Sequence, residues 1–248
     1  MLLKVPLDIV SPEELSEIIY SLLPPPAGSD GVAPNKGRDI VLLSLWDLLR
    51  ARRSGEYRNY VLNAALVLPI SKSLVSGARF LKGKQLIRYM PFNFVISILS
   101  LLERQERSLY LLGGSNRVIR KAEKNIRSTF PRLGIVGRYG GTIRKPEEPA
   151  IMEAIRKTSP SLLLVGKGVR GEELWIARNS AALNPGLRLW CSDLFDVFAE
   201  KSRRPRDAVF EKGLEGIGFC LRNPLRFFRI FLYLWYKILL FVYKFFKS

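Results

Sequence analysis

The stretch SLYLLGGSNRVIRKAEKNIRSTF, Ser108–Phe130, decides the fold. Ser108 to Leu112 carries no charge and reads as a short strand buried on both faces. Gly113 and Gly114 end it, and Asn116 to Phe130 then reads as a helix bearing Arg117, Arg120, Lys121, Lys124 and Arg127. The pattern recurs at SLLLV, Ser161–Val165, where Gly166-Lys167-Gly168 closes a second apolar strand and a helix starts at Glu172. Glycine at such a strand end lets backbone N–H groups approach a phosphate at the start of the next helix. It also serves any tight turn, so both readings of each glycine pair stay open.

The flanking sequence continues the alternation. Toward the N-terminus, Asp39–Leu45 (DIVLLSL) and Ala65–Ile70 (ALVLPI) read as strands. A helix through about Val61 separates them, and helices over Leu74–Leu81 and Phe92–Glu106 follow. Lys4–Val10 reads as a further short strand, and Ser11-Pro12-Glu13-Glu14 announces a capped helix running to about Leu23. Downstream, Gly134–Arg138 and Leu187–Cys191 are strands, and Pro146–Lys157 holds a helix. Short apolar strands alternating with helices predict an α/β fold with a mainly parallel sheet flanked by helices.

Composition narrows the chemistry. Lys plus Arg total 40 against 22 Asp plus Glu in 248 residues, a formal charge of +18, so an anionic partner is expected. From Lys201 onward there are 11 basic residues and three acids, and none of the acids follows Glu215. Helix-turn-helix, zinc-finger and RNA-binding signatures are missing, which argues against nucleic acid. The chain has no histidine, so proton transfer falls to Asp, Glu, Lys, Tyr or the substrate. Its two cysteines, Cys191 and Cys220, form no CxxC pair, and neither a disulfide framework nor a zinc site is expected. The opening residues lack the pattern of a signal peptide, which predicts a cytoplasmic location.

The segment PLRFFRIFLYLWYKILLFVYKFFK, Pro224–Lys247, is basic and aromatic. At ~100° per residue, Arg226, Arg229, Lys237, Lys244 and Lys247 fall within a sector of ~80°, and the rest of the wheel is apolar. This pattern predicts an amphipathic helix lying in a bilayer interface, its cations on anionic headgroups. Two other placements stay open. The helix could span the bilayer, with Lys237 in its middle, or dock on the domain or on another subunit.

Taken in order, the motifs resemble the WecG/TagA/CpsF family of bacterial glycosyltransferases. The resemblance rests on VPLD with its capped helix (Val5–Leu15), AxLVLP (Ala64–Pro69), LLGG (Leu111–Gly114) and GxG followed by EELWIAR (Gly166–Arg178). It continues with FD (Phe195-Asp196), RRP (Arg203–Pro205), GLE (Gly213–Glu215) and NPxRxxR (Asn223–Arg229). It implies a Rossmann-like core over residues 1–195 and a C-terminal membrane-docking appendage over 196–248. It further implies a metal-independent, inverting transferase without a cofactor. Such an enzyme moves an N-acetylhexosamine-type sugar from UDP to a polyprenyl-diphosphate-linked acceptor at an anionic membrane surface. A homo-oligomer is left open.

By resemblance, Gly113, Gly114, Gly166, Gly168, Glu172, Glu173 and Trp175 line the nucleotide-sugar pocket, with Arg170 and Glu172 replacing the usual proline and glutamine. Arg222, Arg226 and Arg229 would hold the acceptor or leaving-group diphosphate, or with Lys237 and Lys244 contact headgroups. The acceptor side departs from the pattern. Ile70-Ser71-Lys72-Ser73 stands where the family carries a DGMG-like turn with its general-base aspartate, and Leu42-Leu43-Ser44 where it carries TxN. Pro91-Phe92-Asn93 replaces GxD. Ser71 is no base unaided, and Asp39 and Asp47 are the nearest carboxylates in sequence. Hence a second expectation: a catalytically degenerate, membrane-bound scaffold that binds nucleotide or lipid.

Overall fold

A computed structural model of the chain describes residues 1–24, 38–53, 55–83, 85–183, 186–204, 210–211 and 228–246. Its strands are β1 (Asp39–Leu43), β2 (Leu66–Pro69), β3 (Ser108–Leu112), β4 (Gly134–Tyr139), β5 (Leu162–Val165) and β6 (Leu187–Trp190). They form one sheet in the order β2-β1-β6-β5-β3-β4, and every pairing is parallel. The helices are α1 (Pro12–Leu22), α2 (Leu45–Ala51), α3 (Glu56–Asn63), α4 (Lys72–Lys82), α5 (Pro91–Arg104), α6 (Asn116–Thr129), α7 (Glu148–Thr158), α8 (Glu173–Asn179), α9 (Leu194–Phe198) and α10 (Phe228–Phe246).

The strand sequences explain the layering. Side chains alternate between sheet faces, so an uninterrupted apolar run requires cover on both. In β3, Leu109 and Leu111 pack with α1, α5, α6 and α9, whereas Tyr110 and Leu112 pack with α2, α3, α4, α7 and α8. In β5, Leu162 and Leu164 face the first layer, Leu163 and Val165 the second. At about 25 cal/mol per Å² of apolar surface removed from water, these two layers dominate the stabilisation.

Local signals place the ends of the elements. Ser11 accepts from the Glu14 N–H and the Glu14 carboxylate accepts from the Ser11 N–H, which closes the expected capping box of α1. Ser44 and Asp47 form a second box at α2, so β1 stops at Leu43 rather than Leu45. The single helix expected after β1 is two, α2 and α3, divided at Gly55. Lys4–Val10 is not a strand. Leu2 and Val5 form an isolated bridge, and Pro6 has no N–H to extend a ladder. Asp8 alone pairs with the edge of β2: its N–H donates to the Val67 carbonyl at 2.9 Å, and its carboxylate accepts from the Val67 N–H at 2.7 Å.

The last helix docks on the domain along one strip. Tyr236, Leu239 and Leu240 are buried against α4, and the Tyr236 hydroxyl donates to the Ser73 carbonyl at 2.9 Å. Phe231, Leu234, Trp235, Ile238, Phe241, Val242 and Phe245 are exposed, at the i, i+3, i+4 and i+7 spacing of one helix face. Of the placements open in the sequence, docking on the domain is therefore present, and it covers only part of the apolar surface. Among the described residues no helix is long and apolar enough to cross a membrane.

Candidate active site

In open parallel sheets ligands bind beyond the C-terminal strand ends, where the strand order reverses. Here the chain leaves β1 toward β2 on one side, and β6 occupies the other side. A cleft of about 1050 Å³ opens at this place. Ser44 after β1, Ile70 and Ser71 after β2, and Cys191, Ser192 and Asp193 after β6 line its base. Leu45, Trp46 and Leu49 of α2, with Leu232 and Tyr233 of α10, give it an apolar wall. Asp196, Lys201, Arg203 and Arg204 give it a charged one.

The proposed proton acceptors lie in three different settings. Ser71 lines the cleft, and its hydroxyl oxygen accepts from the Leu45 N–H at 3.1 Å, tying the turn after β2 to the start of α2. Asp47 stands behind Ser44, whose N–H and hydroxyl donate to its carboxylate at 3.0 and 2.5 Å. Asp39 is remote from both. It opens β1 at the opposite, N-terminal end of the strands, buried against Arg188 at 2.6 Å. Burial raises its carboxyl above the ordinary value in spite of that cation.

The glycine loops meet at backbone contact. The Gly113 N–H donates to the Tyr139 carbonyl, that of Gly114 to Lys167 at 2.6 Å and that of Gly166 to Leu112 at 2.8 Å. The Lys167 N–H donates to the Ser192 carbonyl at 3.1 Å. These amides are thus used inside the protein. A Cβ on Gly113 would stand 2.6 Å from the Gly166 carbonyl oxygen, and one on Gly166 would stand 2.5 Å from the Phe195 ring. The glycines are needed here for close packing between two loops. Gly168, at φ +94°, differs: among the described residues its N–H has no backbone acceptor.

The remaining nucleotide-side residues fasten α8 to its neighbours. Glu172 precedes the helix at φ +54°. Glu173 is buried, its carboxylate 2.5 Å from the Arg50 guanidinium, and burial raises its pKa against the pull of that cation. The Trp175 indole donates to the Glu148 carboxylate at 2.6 Å. None of Gly113, Gly114, Gly166, Gly168, Glu172, Glu173 and Trp175 lines the cleft.

Sequence reading assigned no role to the charged wall. Its signal was present, because Phe195-Asp196 and Arg203-Arg204 stand among the motifs of the resemblance. The Lys167 ammonium donates to the buried Asp196 carboxylate and lies 3.4 Å from Asp193, and Lys201 lies 3.6 Å from the second Asp196 oxygen. The hydrogen bond to Asp196 raises the Lys167 pKa. Arg204 donates to the Asn93 side-chain oxygen at 3.2 Å. Arg88 donates to the Ile70 carbonyl at 2.8 Å and stacks 3.6 Å from the centre of the Phe210 ring, which lines the cleft.

Of the expected basic residues in the tail, Arg222 and Arg226 lie outside the described residues, as do Gly213–Glu215 and Lys247. Arg229 falls in the first turn of α10, Lys237 is exposed, and Lys244 stands 4.1 Å above the Phe80 ring of α4. The model of the glycosyl transferase WecG/TagA/CpsF family matches the chain over residues 1–248. That match spans the sheet, the cleft and the last helix alike, and the protein belongs to the WecG/TagA/CpsF family of glycosyl transferases.

Proposed function

We propose that the protein transfers an N-acetylhexosamine-type sugar from a UDP-sugar to a polyprenyl-diphosphate-linked acceptor during cell-envelope polysaccharide synthesis. The observation that carries this reading is the cleft at the C-terminal strand ends of a family member, whose lining combines apolar side chains with Lys201, Arg203 and Arg204. The acceptor hydroxyl attacks the sugar C1 while the bond from C1 to the UDP oxygen breaks, the hydroxyl proton passing to the departing diphosphate, with inversion and without a metal. The nucleotide is held beside the loop at Gly166–Glu173, where the Gly168 N–H, which has no backbone acceptor among the described residues, meets a phosphate oxygen. The division into a core over 1–195 and an appendage over 196–248 belongs to the same reading.

Peripheral attachment to the inner face of the membrane is part of the proposal. The uncovered stripe from Phe231 to Phe245, flanked by the exposed Lys237 and Lys244, suits burial among headgroups. Deleting Pro224–Ser248 is expected to abolish co-sedimentation with anionic vesicles. Unchanged sedimentation of the truncated, folded protein would overturn the attachment.

The test of the activity is UDP release from a panel of UDP-sugars in vesicles carrying a polyprenyl-diphosphate sugar. Acceptor-dependent release is the expected result. A folded protein that neither binds nor releases UDP sinks the reading. One observation favours a second function, a non-catalytic scaffold: Ile70 lines the cleft where the family carries its aspartate, and neither Asp39 nor Asp47 is bonded to Ser71. General-base catalysis contributes about 100- to 10,000-fold, so Ile70→Asp should raise turnover if the donor site works. No gain, together with no UDP binding, would leave the scaffold.

A further inference from the structure

We infer that Lys167 is the fixed cation for the diphosphate of the nucleotide donor, and that Asp193 holds the ammonium until the diphosphate takes its place. This rests on the proposed transfer from a UDP-sugar and names the side chain that meets the charge developing in it.

A departing diphosphate gathers negative charge, and a positive group already in position beside it lowers the barrier. The amides of Gly113, Gly114, Gly166 and Lys167 donate to backbone carbonyls, so the charge must come from a side chain. Of Lys167, Lys201, Arg203 and Arg204, only Lys167 belongs to the loop between β5 and α8. Its backbone is fixed on both sides. The Lys167 N–H donates to the Ser192 carbonyl at 3.1 Å, and the Lys167 carbonyl accepts from the Gly114 N–H at 2.6 Å. The next residue is Gly168, whose N–H meets a phosphate oxygen in the proposed function. From this loop the ammonium reaches Asp193 and Asp196, both of which line the cleft.

The two carboxylates hold the ammonium unequally. The Asp196 side chain is only 6% exposed and accepts a close hydrogen bond from Lys167. The Asp193 side chain is 70% exposed and lies 3.4 Å away, with its other oxygen 3.5 Å from the Ser192 hydroxyl. A solvated pair of this kind contributes little, whereas breaking a buried one leaves a charge uncompensated. An ammonium has three N–H donors, and a diphosphate oxygen can accept the one that Asp193 holds. The charge changes in the required direction. Lys201 lies 3.6 Å from the second Asp196 oxygen, so two lysines face two aspartates and the group is neutral. With Asp193 turned outward, two lysines face one aspartate and a positive charge is uncovered. The hydrogen bond to Asp196 raises the Lys167 pKa, so the ammonium keeps its protons at neutral pH and acts as a charge rather than an acid. When the bond from C1 to the UDP oxygen breaks, its electron pair passes to that oxygen and the ammonium faces it. The proton still comes from the acceptor hydroxyl.

Calorimetry on the full chain with UDP, uridine and inorganic diphosphate tests this. K167Q should weaken UDP at least about 10-fold and uridine less than about 2-fold, and K167R should recover part of the loss. D193N should tighten UDP about 2- to 5-fold, a gain that fades at high salt. D196N removes the same charge and should weaken UDP about 10-fold, because Lys167 loses its anchor. Lys167 and Asp193 are exposed, so K167Q and D193N are expected to fold, and they decide the matter if circular dichroism shows D196N unfolded. Unchanged UDP binding by K167Q, an equal loss for uridine, or weaker UDP binding by D193N overturns the assignment, while UDP binding by the wild type still speaks for the donor site. A wild type that takes up inorganic diphosphate through Lys167 but no UDP refutes the sugar-transfer reading alone. Binding of neither refutes both.

Discussion

Gly113 and Gly168 have nearly the same backbone strain and very different surroundings, which makes the pair of alanine substitutions informative. Their φ values are +106° and +94°, so an alanine meets the same conformational penalty at both, about 1–3 kcal/mol. The steric setting separates them. At Gly113 the new methyl group would stand 2.6 Å from the Gly166 carbonyl oxygen and 2.9 Å from that of Lys167, both backbone atoms, the second held by the Gly114 N–H. At Gly168 the nearest atom is 3.6 Å away, an ordinary contact. Overpacking of the first kind costs about 1–3 kcal/mol. Gly113→Ala should therefore be less stable than Gly168→Ala by about 1–3 kcal/mol, a difference of several degrees in melting temperature for a chain of this size. Urea unfolding followed by circular dichroism measures it, provided both variants keep the same slope. Equal destabilisation, or a larger loss at Gly168, would refute the view that the Gly113 loop is a packing contact. The ligand readout should run the other way. Gly168→Ala should weaken UDP at little cost in stability.

Glu173 gives a pH dependence with a definite sign. Its carboxyl is raised above the ordinary 4.5, so the folded state binds a proton more readily than the unfolded one, and stability declines as pH rises from about 4.5 through the raised value. Glu173→Gln should remove that decline, and an unchanged stability profile between pH 4 and about 7 would count against the burial of this carboxylate. Desolvation and the nearby Asp193 carboxylate push the thiol of Cys191, half-buried at the base of the cleft, up to about 12, so it should alkylate slowly at neutral pH in the folded protein and faster once unfolded. Rapid modification of the native chain at Cys191 would contradict this. A side chain at Gly77 would collide with the Tyr236 hydroxyl, so Gly77→Val should release α10 from α4 and open the last helix to proteolysis with the core intact. Identical digestion of wild type and variant would show that this contact does not hold the helix.

The sheet was legible because β1, β2, β3 and β5 are short, mostly apolar runs ended by glycine, serine or proline, and such runs admit few arrangements other than parallel strands with helices on both faces. The box at Ser11 and Glu14 placed α1. The reading failed where a local signal was ambiguous. Ser44 looked like part of a strand and is a helix cap, and α9, only five residues long, has no periodicity to detect. The site was less legible than the fold. Gly113 and Gly166 carry the look of phosphate loops, but only the three-dimensional pairing of β3 with β4 and β5 shows that their amides are spent on the Tyr139 and Leu112 carbonyls. Asp39 and Ser71 were candidates for one task, and the direction of β1 puts Asp39 at the far, N-terminal end of the strands. The charged wall stayed hidden because residues from α9 to Arg204 meet the cleft through tertiary packing, which no spacing in the sequence announces. The apolar circumference of α10 was visible on the helical wheel. Which part docks on α4 depends on Gly77 leaving room for Tyr236.

The central claim is that this family member has a working UDP-sugar site beside the cleft. Calorimetric titration of UDP into the intact protein with anionic lipid micelles tests it most directly, since no knowledge of the sugar is required. The account predicts saturable binding of one UDP per chain, weakened by Gly168→Ala. A folded, micelle-bound protein that takes up no UDP would contradict it.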